Sequence, residues 1–481
     1  MPDWFIRSLL VLRRIVGWGA LALLSLFFIA LAINARDERP SSETLALLRL
    51  PVNSYRPEEN IYVALAGFEA PAGQSVVAAG QAKIASYNDQ VDAMLQDPLA
   101  PLVRLQALIA AADPLALKFK GKLDLGLPRE LSFWRAVREN GSKVNQLIEQ
   151  NRELYQRYLA LQELPGYFET ERTSSAPDIV MPSVDIRNLF LAKFALEMQT
   201  GDEMRRQSAL TFLRKDMDLW RRMLGGEGTL ISKMLAVAYL QNDYLLFSDM
   251  IADPNTPIPD NIVVFLSEPT LSEWNIGKVF ASEFRFHSFI YKQNEALSVA
   301  GWQPPDSPNS SVWRWFNRVL LNPIGRRFFK LNATENLDAR LMNELAGFAA
   351  IDPTTFTAQR VRYKKWESEN ADFVRPGIVY NPIGKILVAI GAPAYTDYPL
   401  RPYDAAALER LVRLSLEIRR NQIATSAIPA FMKQHPEWST HPADGDSFSW
   451  SPTSSEVAIH TVAKQASDRR FSVQIWRSPA G

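Results

Sequence analysis

Nineteen consecutive residues, Ile15 to Ile33, carry no charge and read IVGWGALALLSLFFIALAI. As a helix rising 1.5 Å per residue they reach about 28 Å, close to the thickness of a bilayer's hydrocarbon core. Arg13 and Arg14 stand before the run, and Arg36-Asp37-Glu38-Arg39 stands after it. Two readings compete. Ala30-Leu31-Ala32 offers the small residues of a signal-peptidase site. Against cleavage, the apolar run exceeds the usual signal core and carries Trp18 near its start, so an uncleaved anchor is expected.

Lysine and arginine do not set the orientation by count, because Arg7, Arg13 and Arg14 are matched by Arg36, Arg39 and Arg49. The free amino terminus, the Arg13-Arg14 pair and the long chain that follows favour a cytoplasmic N-terminus. The expected plan is a tail over 1–14, a transmembrane helix over 15–33, a tether over 34–60, a helical extracytoplasmic domain over 61–430 and a β hairpin or meander over 431–481. Proline-rich loops near 253–310 mark a candidate subdomain boundary. This is the layout of a bacterial inner-membrane protein with its bulk in the periplasm, in contact with the bilayer through Ile15–Ile33 and with one or more envelope proteins.

Past the anchor the chain is ordinary globular sequence. A net charge of +1 argues against a nucleic-acid partner. The absence of cysteine excludes disulfides, thiolate metal sites and cysteine nucleophiles.

The fold class is mainly α. Ala209, Leu213, Met217, Trp220 and Leu224 recur at intervals of 4, 4, 3 and 4, one helical stripe. A turn at Gly225-Gly226-Glu227-Gly228 and a return stripe from Ile231 complete an αα-hairpin, the unit of helical bundles and solenoids. A short helix is expected over 101–112. One long helix is expected from Val144 to Pro165, and another over 405–423 with Asp404 as its cap. Asn-Pro-Ile-Gly occurs at Asn322 and Asn381, each time as helix-start chemistry. At the end, Val457, Ile459 and Thr461, then Phe471, Val473 and Ile475, alternate as short antiparallel strands, which must pack on the helical body to be stable.

The sharpest candidate contact lies between Asp306 and Glu335, where no acidic residue occurs. Trp313, Arg314, Phe316, Arg318, Arg326, Arg327 and Lys330 form a basic, aromatic stretch suited to anionic lipid or another anionic polymer. The competing reading is a core helix with solvated arginines. Asp216 with Asp218, Glu273 with Glu283, and Glu367 with Glu369 are carboxylate pairs that a glycan hydrolase would need to bring together. His435, His441, Asp444 and Asp446 offer metal-ligand atoms without regular spacing, so no metal site is expected. No phosphate loop, dinucleotide fingerprint or nucleophile elbow occurs, and no cofactor is expected. The reading that follows is a non-catalytic scaffold or assembly factor. The alternative is a periplasmic hydrolase of peptidoglycan or another glycan.

Overall fold

The structure, a computed structural model, describes residues 3–96, 115–126, 131–170, 183–259, 262–263, 266, 270–300, 326–350, 355–371, 379–395, 397–463 and 471–475. Among them are eighteen α-helices and one three-stranded sheet. The first helix, α1 (Asp3–Ile33), contains the one described segment long and apolar enough to cross a membrane, Arg13–Ile33, and none of that segment is buried against the rest of the protein. The short α2 (Ser42–Leu47) and α3 (Ile61–Ala66) follow, then α4 (Val76–Gln96).

The body continues with α5 (Leu131–Glu139), α6 (Gly141–Gln150) and α7 (Arg152–Leu161). The single helix expected from Val144 to Pro165 is therefore two, broken at Asn151. That side chain faces the backbone of Lys120, accepting from its amide at 2.7 Å and donating to its carbonyl at 2.9 Å. A long-range pairing of this kind leaves no periodic trace in the sequence.

Next come α8 (Val184–Thr200), α9 (Glu203–Gly225) and α10 (Leu230–Ala252). The last two are the expected αα-hairpin. Asp202 caps α9 by accepting the Arg205 amide at 2.9 Å, and the glycines at 225 and 226 end it. After α11 (Leu271–Trp274) and α12 (Val279–Ala300), α13 (Leu331–Ala349) packs on α12, and α14 (Phe356–Ala371) and α15 (Pro382–Tyr395) pack on α13. The helix α16 (Arg401–Arg420) lies against α10 along much of its length. It starts before Asp404, because Pro402 occupies the first turn where its missing N–H costs nothing. Asp404 is consequently not the cap. It is turned inward and accepts the amides of Val462 at 2.8 Å and Ala463 at 3.3 Å, tying the C-terminal piece to the body.

After α17 (Ile428–Gln434) and α18 (Pro436–Ser439), β1 (Ser449–Ser451), β2 (Glu456–Ile459) and β3 (Phe471–Gln474) form the antiparallel sheet in the order β1-β2-β3. Val457 pairs with Val473 and Ile459 with Phe471. One contiguous apolar core runs from Ile61 to Ile475 and takes in both the helices and the buried face of this sheet. The helix expected over 101–112 lies outside the described residues.

Candidate membrane-proximal site

Where α1 ends, the chain does not hang free. Asn34 is fully buried. Its side-chain amide donates to Ala30 O at 2.8 Å and Val379 O at 2.5 Å, while its oxygen accepts the Asn381 amide at 2.8 Å. Three residues on, the Asp37 carboxylate accepts the amides of Asn332 at 2.9 Å and Ala333 at 3.1 Å. These are first-turn amides of α13, whose own N-cap residue, Lys330, provides no side-chain cap. Such amides have no partner inside the helix, and a carboxylate there also meets the positive end of the helix dipole. Asp37 therefore serves as a cap delivered from the far end of the chain.

Asn336 on α13 holds the next stretch. Its amide donates to Glu38 Oε2 at 2.9 Å and to Arg39 O at 3.0 Å, and its oxygen accepts Ser41 N and Thr44 Oγ1, each at 2.8 Å. Ser41 in turn caps α2. The segment expected as a tether over 34–60 is thus laid along the body from its first residue.

Asn381 joins the same junction from the other side. Its backbone takes a positive φ of 51°, a conformation that asparagine tolerates better than most residues. Its side chain accepts Lys330 N at 2.9 Å and donates to Thr334 Oγ1 at 2.9 Å, so it fastens α15 to α13. Gly384 completes the approach, since a Cβ there would lie 1.9 Å from Thr334 Oγ1.

Three of the seven expected contact residues are placed at this junction. Arg326 and Arg327 are exposed, and Lys330 is largely buried. Burial lowers the Lys330 pKa, and Asp37 opposes it. Phe328, between them, meets Phe27 of α1 with ring centroids 6.4 Å apart. Trp313, Arg314, Phe316 and Arg318 lie outside the described residues.

The carboxylates of the first two expected pairs engage other partners. Asp216 is buried and Asp218 is part-exposed beside Arg214 at 3.8 Å. Glu273 holds Arg221 through two 3.0 Å bonds. Burial alone would raise its pKa, but those bonds and the Thr270 amide lower it. Glu283 is buried instead against the Leu230 amide at 2.9 Å, and burial raises its pKa. The side chains of Glu367 and Glu369 are outside the described set.

Two charged clusters that the sequence reading missed sit in the core. In the first, Arg187 bonds Asp243 and lies 3.2 Å from Asp216, with all three side chains fully buried. Tyr158 donates to Asp216, as does Trp220 Nε1 at 3.0 Å, and the guanidinium stands 4.2 Å from the Tyr239 ring centroid. In the second, His287 Nδ1 is 2.9 Å from Asp338 and Nε2 is 2.9 Å from the Tyr395 hydroxyl, which also reaches Glu283 at 3.3 Å.

Burial favours neutral His287, but the Asp338 hydrogen bond and charge, with Glu283 beyond, outweigh it and hold the pKa above 6.5. The fold therefore favours the protonated ring. Its contribution is complete below pH 6.5 and is lost as pH rises through the raised folded value. In urea titrations of the micellar protein, stability should fall over that window. The fall should be smaller in His287→Gln; identical slopes would refute the assignment.

Of the possible ligands near the C-terminus, Asp444 and Asp446 come together, joined by His460 rather than by His435 or His441. His460 Nε2 is 2.9 Å from Asp444 and 3.9 Å from Asp446. His441 is buried, with Nδ1 accepting the Ala443 amide at 3.1 Å and Nε2 facing Asp404 at 3.2 Å. His435 stacks on Trp438 and bonds Glu437 at 3.0 Å.

Comparison of the chain with protein-family models, with curated proteins and with solved structures finds no match.

Proposed function

We propose that this chain is a single-pass, membrane-anchored scaffold of the bacterial envelope, with a cytoplasmic N-terminal tail and a periplasmic helical body that holds partner proteins at a fixed position over the inner membrane. One observation carries the reading. The apolar helix passes without slack into a hydrogen-bonded junction with α13 and α15, through Asn34, Asp37, Glu38 and Asn336. A body that only needed to be kept near a membrane would be served by a flexible linker. A junction of this kind fixes height and orientation as well, which matters when the body must present a surface to other membrane-bound proteins.

The test is crosslinking in intact cells, purification through a C-terminal tag, and mass spectrometry of the co-purified proteins. The expected result is a reproducible set of envelope proteins crosslinked through the body. Recovery of the full-length chain alone, together with cleavage of cell-wall glycan by the purified protein, would overturn the proposal in favour of the hydrolase.

A further inference from the structure

We propose that the outer face of α15, carrying Ile383, Ile386 and Ile390, is seated in the interfacial layer of the same bilayer that α1 crosses, with Arg326 and Arg327 against lipid phosphates. The inference rests on the anchor reading above and adds a second, non-spanning attachment to it.

Ile383, Ile386 and Ile390 follow i, i+3, i+7 spacing and share one side of the helix. They are 38%, 40% and 70% exposed, while Val388 and Ala389 are buried on the other side. Val379, just before the helix, is exposed as well. The fourteen-residue helix is too short to cross a bilayer but suited to lying in its surface.

Its position identifies the occupant. The helix begins at the residue after Asn381, whose amide bonds Asn34, and Asn34 is the first residue after α1. The start of α15 is therefore held at the point where the anchor leaves the hydrocarbon. Phe328 reaches further along, because its ring meets Phe27, six residues or about 9 Å of helix back into the apolar span. Part of the body thus stands beside the anchor at lipid depth. Arg326 and Arg327, exposed and adjacent to Phe328, are placed for the phosphate layer, with Arg36 and Arg39 exposed nearby in sequence to the anchor's end. The neighbouring acids Asp37 and Glu38 already accept bonds from α13. The start of α15 and the arginine pair adjoin the anchor's end through Asn381 and Phe328, which brings lipid to them in any assembly state. A second copy of the chain has no such guarantee of proximity.

The chain has no cysteine, so single labels are unique. Full-length protein carrying Leu23→Cys, Ile390→Cys or Asp124→Cys is labelled with an environment-sensitive dye and reconstituted into phosphatidylethanolamine and phosphatidylglycerol vesicles at about one chain per vesicle. Iodide quenching then reports water access. Asp124, 71% exposed, is the aqueous reference. The labels at 23 and 390 should both quench roughly fivefold less than the label at 124, as expected of a face sunk into the headgroup boundary. Protection at 23 with full quenching at 390 would overturn the interfacial face and leave the anchor intact. Full quenching at 23 would overturn the anchor, and this inference with it. Protection at 390 only at high protein density would assign the face to a second copy and overturn the lipid assignment.

Discussion

Arg187→Ala is expected to destabilise the body by about 3–5 kcal/mol, the range seen when one member of a buried ion pair is removed. The guanidinium is the one cation bonded to Asp216 and Asp243 among the described residues, and all three side chains are fully buried. Removing it leaves two carboxyls facing each other with no water to screen them. The cluster holds two acids and one base, so its response to Asp243→Asn should be quite different. Burial raises the Asp243 pKa well above 3.8; Arg187 opposes the shift and Asp216 adds to it. A raised carboxyl stabilises the fold below its unfolded value, and that contribution is lost as pH rises through the folded value. A neutral amide escapes this loss, so Asp243→Asn should hold stability more evenly from acid to neutral pH than the wild type does. Urea unfolding of both variants across that range is the measurement. An Arg187→Ala cost below about 1 kcal/mol would mean that the acids relax or hydrate, contrary to the buried geometry.

Asn336→Ala should open the junction after α1 without unfolding the body. Four hydrogen bonds from that side chain hold Glu38, Arg39, Ser41 and Thr44. At roughly 0.5–1.5 kcal/mol each they sum to about 2–6 kcal/mol of local closure. A loss of even about 3 kcal/mol raises the open population roughly a hundredfold. Limited proteolysis of the full-length protein should then cut residues 36–50 roughly a hundred times faster, with global unfolding shifted far less. Unchanged cleavage would show that Asp37 and Asn34 hold the segment by themselves.

Much of the architecture was legible where the determinants are local. The hairpin of α9 and α10 announces itself through its stripe and a glycine turn, all within fifty residues. The C-terminal strands follow from alternation. What escaped depends on partners far away in sequence. Asn151 breaks a helix because Lys120 is opposite it, and Asp404 leaves its expected capping role to bind Val462 and Ala463. The Arg187 cluster did leave a signal. Both α8 and α10 are apolar around most of their circumference, with ten and fourteen buried residues. Arg187 and Asp243 stand among the buried residues of these helices, where a charge requires a partner. At the junction after α1 the basic character of 326–330 was readable, but its neighbours in space, Phe27 and Asn381, were not.

The cap that Asp37 places on α13 also has a timetable. The two partners are 295 residues apart in the chain. At a synthesis rate of about 5–20 residues per second, Asn332 is made some 15–60 s after Asp37. Throughout that interval α1 has been made but the junction cannot close, and the stretch behind it has no partner on α13. The body closes onto the end of α1 only after most of the chain has been synthesised, so this junction is among the last contacts of the fold to form.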